Sequence, residues 1–92
     1  MLDEKGLTFI DFYADWCQPC MIMSPIIDEL SEKYKDKIKI IKINVDNDEK
    51  TAKQYNVMSL PNFVLLKDGE LLEQCVGTLS TEFIEQIFEK YI

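Results

Sequence analysis

Two periods of hydrophobic positions predict the order of strands and helices along the chain. Residues 7–13 and 38–45 are rich in aromatic and β-branched residues, which is typical of strands. Between them, apolar residues recur at helical spacing while acidic residues fall on the opposite side. This predicts a helix over residues 18–34, interrupted by Pro25, with a buried stripe of Ile22, Ile26, Ile27 and Leu30. A strand, a helix and a second strand in this order imply parallel strands joined by a right-handed crossover.

Capping and turn signals divide the rest of the chain. Asp48 is a candidate N-cap for a short helix that ends near residue 55. Asp68-Gly69 is typical of a hairpin turn, so residues 62–66 and 71–77 are expected to form antiparallel strands. Ser80 is expected to cap a last helix with a buried stripe of Phe83, Ile84, Ile87, Phe88 and Tyr91. With a polar lead-in over residues 1–6, these elements predict one α/β domain over residues 1–92.

Composition and charge exclude several classes of function. The 92 residues include seventeen acids and ten lysines, giving a net charge of −7, with no arginine and no histidine. This balance repels phosphate backbones and anionic lipid, so neither a nucleic-acid nor a membrane role is expected. No apolar run reaches the length of a membrane span, and the first six residues do not resemble a secretion signal. Three cysteines do not make a secreted disulfide framework, so we expect a cytoplasmic protein.

Two cysteines, Cys17 and Cys20, lie at the junction of the first predicted strand and helix. Cys17 would lie at the helix N-terminus, where unpaired N–H groups and the helix dipole lower the pKa of a thiol. Cys20 lies one turn further in, close enough to form a small disulfide ring. Pro19 suits the first turn because its missing N–H would have no partner there. We therefore predict a redox pair in which Cys17 is exposed and Cys20 is recessed.

Two other classes of protein compete with the redox interpretation. The first is a metal-binding module, but zinc and iron–sulfur clusters need about four ligands and this chain offers two adjacent thiols without histidine. A cluster bridging two subunits would meet that requirement. The second is a binding module whose redox activity is incidental, in which case replacing Cys17 and Cys20 with serine would leave the function intact.

Asp11 and Lys42 are charged residues inside predicted strands. Asp11 shares a strand face with Phe9 and Tyr13, so it is either a carboxylate that reaches water at a bend or edge, or a buried acid with a raised pKa. Its position six residues before Cys17 favours the second alternative and a part in proton transfer. Lys42 is either a surface lysine whose stem lies along apolar neighbours, or a charge placed beside Asp11 on the adjacent strand.

Two further features have ordinary structural interpretations. The acidic cluster Asp46, Asp48 and Glu49 lacks the glycine turn and distant acid of a calcium loop, which favours a solvated helix cap. Cys75 matches no catalytic position. It is interpreted as an ordinary strand residue in preference to a regulatory thiol.

These elements and motifs together resemble the thioredoxin family from about residue 7 to residue 92. The resemblance implies a minimal thioredoxin fold, a four-stranded mixed sheet flanked by helices in the order βαβαββα. Because the common form of the family begins with an additional strand and helix, the strand over residues 38–45 is expected at a sheet edge. The motifs that carry the resemblance are Asp11, Trp16-Cys17-Gln18-Pro19-Cys20, Pro25, Lys42, Ser59-Leu60-Pro61, Asp68-Gly69 and Val76-Gly77.

The resemblance implies a thiol–disulfide oxidoreductase that reduces protein disulfides and holds no bound cofactor. Cys17 would be the nucleophile, Cys20 the resolving thiol and Asp11 the acceptor of the Cys20 proton, with Lys42 modulating it. Pro61 matches the family's cis-proline beside an extended substrate peptide. A separate thioredoxin reductase would supply the electrons, and the protein is expected to be a monomer. The implied docking surface comprises Trp16, Gln18, Pro19, Leu60, Val76 and Gly77.

Two residues depart from the family pattern. Gln18 stands where glycine is usual and adds a polar side chain beside the attacking sulfur. Asn62 follows Pro61 where threonine is usual. We expect Gln18 to affect the redox potential or the choice of partner, whereas the pattern assigns no effect to Asn62.

Overall fold

The strand Leu7–Tyr13 (β1) lies at the centre of the sheet. The computed structural model describes residues 5–92, so residues 1–4 of the predicted lead-in lie outside the described residues. β1 pairs in parallel with β2 (Ile38–Asn44) and antiparallel with β3 (Asn62–Lys67), which pairs antiparallel with β4 (Glu70–Val76). The resulting order is β2-β1-β3-β4. This confirms the mixed four-stranded sheet, with β2 at one edge within the described residues.

Helices cover both faces of the sheet, and the alternation of side chains along β1 decides which face each residue meets. On one face, Phe9 packs in a core with residues of α1 (Gln18–Lys33) and α3 (Thr81–Tyr91). On the other face, Ile10 and Phe12 pack with Ala52 of α2 (Glu49–Gln54). Asp11 follows the same alternation and therefore lies on the α1 face. No helix within residues 5–92 combines the length and apolar character of a membrane span.

The buried face of α1 differs from the predicted stripe. Ile22 is 59% exposed, and Met23 is buried in its place. Residues three and four positions apart share a helix face, so Met23, Ile27 and Leu30 form one buried line that continues from Cys20. Ile22 lies about 100° around the helix from Met23 and falls outside that line. The helix continues past Pro25 to Lys33, and a kink at Pro25 stays a prediction.

The last helix departs from its predicted stripe at one position. Ile84 and Phe88, one turn apart, are fully buried, and Ile87 and Tyr91 pack at the margin of the same core. Phe83 is 43% exposed because it precedes Ile84 and points to a neighbouring face of the helix. The expectation that Phe83 is buried is therefore wrong.

The predicted helix caps are confirmed. The Asp48 carboxylate accepts hydrogen bonds from the backbone N–H and the hydroxyl of Thr51, at 3.1 and 2.8 Å. The Ser80 hydroxyl accepts one from the backbone N–H of Phe83 at 3.1 Å. The bonds from the Thr51 and Phe83 N–H groups satisfy donors that a helix start leaves unpaired. The carboxylate of Asp48 is thus engaged as a cap, as the interpretation of the acidic cluster required.

The turn between β3 and β4 consists of Asp68 and Gly69, as predicted. Both residues have positive φ, 52° and 86°, which a two-residue hairpin of this twist requires and which glycine adopts without strain. Asp68 also exchanges two hydrogen bonds with Gly6. Its backbone N–H donates to the Gly6 carbonyl at 3.0 Å, and its carboxylate accepts from the Gly6 N–H at 2.7 Å. The turn is thereby joined to the segment that enters β1.

Candidate active site

Cys17 and Cys20 lie where β1 gives way to α1, and their sulfurs form a disulfide with the Cα atoms 5.3 Å apart. Cys17 is the N-cap of α1, with an extended backbone (φ −91°, ψ 105°). Its sulfur accepts a hydrogen bond from the backbone N–H of Cys20 at 3.3 Å. A sulfur that carries negative charge at this position would meet both that donor and the positive end of the helix dipole.

Both cysteines are buried in the disulfide form. Cys17 is 4% exposed and Cys20 is 2% exposed, so the expectation that Cys17 is exposed is wrong for this form. The ring formed by the two sulfurs packs against Ala14, and Val45 and Leu60 cover it from neighbouring loops. The sequence indicated the helix start but not the loops that close over it. The two cysteines nevertheless differ in position, because Cys17 caps α1 whereas Cys20 lies inside its first turn.

The Asp11 carboxyl is buried, as the second interpretation of this residue required. The residue is 2% exposed, and its Oδ1 atom has no hydrogen-bond partner among residues 5–92. Burial raises the pKa of Asp11 from 3.8 to about 6, although the nearby Lys42 charge lowers it and the Asp28 charge raises it further. Asp11 and Cys20 line a common cleft of about 210 Å³. The Asp11 carboxyl therefore shares a cleft with Cys20 and has a pKa closer to neutrality than that of an ordinary aspartate.

Lys42 combines features of both interpretations made from the sequence. It is the β2 residue in register with Asp11 on β1, on the sheet face that α1 covers, and it lines the same cleft. Its ammonium group, however, contacts α1. The Nζ atom donates to the Ser24 hydroxyl at 3.0 Å and pairs with the Asp28 carboxylate at 2.5 Å. The Lys42 charge is near enough to lower the pKa of Asp11, while its direct partners lie on the helix.

Most of the residues expected to form a docking surface are exposed, and Leu60 packs against the disulfide. Trp16 is 70% exposed and lies with Leu60 along a cleft of about 220 Å³, and Val76 is 54% exposed. The Leu60–Pro61 peptide bond is cis, and the Pro61 carbonyl accepts a hydrogen bond from the N–H of Gly77 at 2.8 Å. The start of β3 and the end of β4 therefore meet beside Pro61, next in sequence to Leu60, which packs against the disulfide. Gln18 and Pro19 are also exposed, on the first turn of α1.

Two contacts of Trp16 at this surface were not predicted from the sequence. Met58 is 89% exposed and lines the cleft beside Trp16. The Trp16 indole N–H donates to the Asp46 carboxylate at 2.9 Å. The acidic cluster thus contributes a partner for Trp16, which its interpretation as a cap did not include. The sequence indicated part of this contact, because an indole N–H usually has a hydrogen-bond partner. That Asp46 is this partner depends on the fold, which brings the two residues together.

Asn62, a departure from the family pattern, is a buried amide that holds two segments together. It is 2% exposed. Its side-chain N–H₂ donates to the Ser59 carbonyl at 3.4 Å, and its carbonyl oxygen accepts from Gln74 at 3.1 Å. Gln74 also donates to the backbone carbonyl of Tyr55 at 2.8 Å. Asn62 and Gln74 therefore tie the segment before Pro61 to β4 and to the end of α2.

Cys75 lies on β4, half-buried and outside the cysteine pair. Burial raises the pKa of this thiol, and the neighbouring Glu73 charge raises it further. Both effects reduce the thiolate fraction, which agrees with the interpretation as an ordinary strand residue. Within residues 5–92, no group of three or more potential ligands among Cys, Asp and Glu could hold a metal ion.

A disulfide at a helix N-terminus, beside a buried carboxyl with a raised pKa, defines a thiol–disulfide oxidoreductase. The sequence model described as Thioredoxin matches residues 1–90. The chain is 41% identical over 89 residues to the thioredoxin of Bacillus subtilis (strain 168), which covers 97% of this chain and 86% of that protein. The chain therefore belongs to the thioredoxin family, whose members reduce protein disulfides.

Two further comparisons agree with this assignment. The chain is 45% identical over 91 residues to Thioredoxin-T of Drosophila melanogaster, covering 99% of this chain and 57% of that longer protein. Among solved structures, a mutant thioredoxin from Halobacterium salinarum NRC-1 matches with a TM-score of 0.89 and 34% identity. That match covers 97% of this chain and 77% of the other. The four-stranded sheet and its helices are thus those of the thioredoxin fold.

Proposed function

We propose that Cys17 is the nucleophile of the protein-disulfide reductase. In the reduced protein, the Cys17 thiolate attacks one sulfur of a substrate disulfide, forms a mixed disulfide and expels the other substrate sulfur as a thiolate. The N-cap position of Cys17 supports this role because the helix start stabilises negative charge on its sulfur. The backbone N–H of Cys20, which points at the Cys17 sulfur, acts in the same direction.

Cys20 completes the reaction with Asp11 as its proton acceptor. Deprotonated Cys20 attacks the Cys17 sulfur, closes the intramolecular disulfide and releases the second substrate sulfur as a thiolate that takes up a proton. The substrate disulfide gains two electrons and the dithiol loses two. The cleft shared by Asp11 and Cys20 supports this assignment, since it offers a path between the thiol and the unpartnered carboxyl oxygen. Lys42 modulates the acceptor through its charge.

The substrate binds at the exposed surface around the disulfide. We assign docking to Trp16, Leu60 and Val76, together with Gln18, Pro19 and Gly77, and place an extended substrate segment beside Pro61. Trp16 and Leu60 support this role because they line an open cleft next to the buried disulfide. No hydrogen bond joins the Leu60 backbone to another residue within 5–92, which leaves that backbone available for strand-like pairing.

The remaining assignments concern the setting of the reaction. A separate thioredoxin reductase, drawing on NADPH or ferredoxin, reduces the Cys17–Cys20 disulfide after each turnover. The protein acts as a cytoplasmic monomer in cell redox homeostasis, with residues 1–92 as one domain. Its acidic balance supports protein partners over nucleic acid or anionic lipid. Turnover with a panel of reductases and sedimentation of the reduced protein would test the electron donor and the monomeric state.

The Cys17–Cys20 disulfide, closed at the start of α1 and in one cleft with Asp11, is the observation that carries the proposal. The test is a trapping experiment with a protein that contains one accessible disulfide. Cys20→Ser is expected to accumulate a mixed disulfide through Cys17, detectable by mass, whereas Cys17→Ser forms none. Cys75→Ser is the matched control and should turn over like the parent. A mixed disulfide through Cys20 would reverse the two roles, and activity in the Cys17, Cys20 double variant would favour a binding module.

A further inference from the structure

The Lys42 ammonium group contacts α1 and not Asp11. Asp11 and Lys42 are register neighbours on adjacent strands, and both line the same cleft. Yet within residues 5–92 no ion pair joins them, and Oδ1 of Asp11 is buried without a hydrogen-bond partner. The Lys42 Nζ atom instead contacts Ser24 and Asp28, at 3.0 and 2.5 Å. A buried acceptor has thus been left unpaired although a donor lies on the neighbouring strand.

We propose that Ser24 and Asp28 are positioning residues that hold the Lys42 ammonium at the helix side of the cleft, away from Asp11, and so keep the Asp11 carboxyl basic enough to accept the Cys20 proton. This inference rests on the proposed role of Asp11. It assigns a function to two residues of α1 that belong neither to the proposed reaction nor to the proposed docking surface. Asp28 contributes twice, because its own negative charge also favours the protonated form of Asp11.

The physical argument is the distance dependence of the charge interaction. A lysine in direct contact with a carboxylate lowers the pKa of that carboxylate by about one to three units, and the effect weakens as the charges separate. With Lys42 held on the helix, burial dominates and the pKa of Asp11 stands at about 6. Without its contacts on α1, the flexible Lys42 side chain could enter the cleft of about 210 Å³. There its ammonium group could donate a hydrogen bond to the unpaired Oδ1 atom of Asp11.

Few other charged or titratable groups lie near enough to affect the pKa of Asp11. Phe63, its partner on β3, does not titrate. The titratable and charged groups that face Asp11 or line its cleft come from β1 and the turn after it, from β2 and from α1; they are Tyr13, Asp15, Lys42, Cys20 and Asp28. Among the charged groups of residues 5–92, Lys42 lowers the pKa of Asp11 and Asp28 raises it.

The test compares Asp28→Asn with Glu29→Gln. Glu29 is the next residue of the same helix and is exposed, so its variant removes the same charge without touching Lys42. The Asp11 pKa is followed in the oxidised protein by NMR of its carboxyl carbon. Asp28→Asn is expected to lower this pKa by about half a unit to one unit, Ser24→Ala by less, and Glu29→Gln not at all. Equal Asp11 pKa values in Asp28→Asn and Glu29→Gln would overturn the proposal.

A Lys42→Met background separates the two contributions of Asp28. If Asp28 acts through Lys42, most of the Asp28→Asn shift disappears when Lys42 is absent. A shift of unchanged size in that background means that Asp28 acts by its own charge alone, which contradicts a positioning role. Thermal unfolding of each variant identifies any loss of fold, and Ser24→Ala then serves as the milder second probe.

Kinetics distinguish a failure of this inference from a failure of the proposed function. Release of the second substrate thiol is measured against pH in single turnovers of the reduced variants. A profile displaced to lower pH by the same amount as the Asp11 pKa supports both the positioning role and the acceptor role. A lowered Asp11 pKa with an unmoved profile upholds the positioning of Lys42 but removes Asp11 as the acceptor. An unmoved pKa refutes the positioning role, whatever the profile does.

Discussion

The two sides of the disulfide are built from residues in opposite environments. On the α1 side lies the cleft of Asp11, a carboxyl that is 2% exposed and unpaired. On the other side lie Trp16, 70% exposed, and Met58, 89% exposed. The buried side has the low dielectric that a proton acceptor near neutral pH needs, at a cost in stability. The exposed side offers apolar area to a partner and places little demand on the fold. Chemistry and recognition can therefore be altered separately.

The largest expected effect comes from Asp11→Asn, which removes the buried acid. The pKa of Asp11 is raised in the folded protein, so the folded state binds a proton more readily than the unfolded state between about pH 4 and pH 6. Stability contributed by this group is therefore present below pH 4 and lost as pH rises through 6. A difference of about two pKa units corresponds to about 3 kcal/mol. We expect Asp11→Asn to raise the free energy of unfolding by up to that amount at pH 8 and by little at pH 4. Denaturant unfolding at the two pH values measures this difference.

The same variant should lose activity while gaining stability. Without the acceptor, resolution by Cys20 slows more than attack by Cys17, which stopped-flow single turnovers can separate. Glu29→Gln is a control for the loss of one charge. Unchanged resolution in Asp11→Asn near neutral pH would remove Asp11 from the mechanism and make the buried side structural only.

Met58→Ala tests the exposed side. Truncating an exposed, adaptable side chain beside Trp16 should raise KM for a protein disulfide about five-fold, or about 1 kcal/mol, with kcat and stability little changed. Leu71→Ala is the matched control. Leu71 is an exposed apolar residue near the start of β4, whereas Val76 of the proposed docking surface ends that strand. Both variants should reduce a small-molecule disulfide at the parental rate. Equal KM values for the two variants would mean that docking does not use the cleft beside Trp16.

Gln74→Ala tests the support of the exposed side, because Gln74 and Asn62 tie the segment before Pro61 to β4 and to the end of α2. Loss of the Gln74 side chain leaves the buried Asn62 carbonyl oxygen without that donor, so we expect a loss of about 0.5–1 kcal/mol in the free energy of unfolding. Gln86→Ala, on the exposed face of α3, should be neutral. If docking depends on this tie, Gln74→Ala also raises KM for protein substrates but not for small disulfides. A variant as stable as the parent would show that water replaces the Gln74 contacts.

The smallest expected departure concerns the redox potential. Strong oxidants of this fold place a histidine between the cysteines, whereas here Gln18 and Pro19 occupy those positions and the chain has no histidine. A neutral hydrogen bond from Gln18 stabilises a thiolate less than a positive charge does. We expect a potential within about 40 mV of −270 mV, measured by thiol quantification after equilibration with dithiothreitol. A value above about −200 mV would contradict a reductase.

The sequence predicted those parts of the site that depend on neighbours along the chain. The N-cap position of Cys17 followed from the strand–helix junction. The alternation of β1 placed Asp11 on the face of Phe9, and its position six residues before Cys17 favoured the buried alternative. The contacts of Asn62 with Gln74 and of Trp16 with Asp46 were missed, because each joins segments whose separation only the folded sheet determines. Lys42 shows both cases. Its position beside Asp11 on the adjacent strand was one of the two interpretations made from the sequence, but its partners on α1 were not predicted.

Trp16 is the only tryptophan in the chain. Its indole stands next to Cys17 in sequence, is largely exposed and is fixed by the hydrogen bond to Asp46. The molecule therefore carries an intrinsic optical reporter at its reactive centre, with no competing tryptophan elsewhere. Opening of the adjacent disulfide, or a partner that covers the indole, should change the emission of this single fluorophore, so that reduction and docking can be followed in the unlabelled protein.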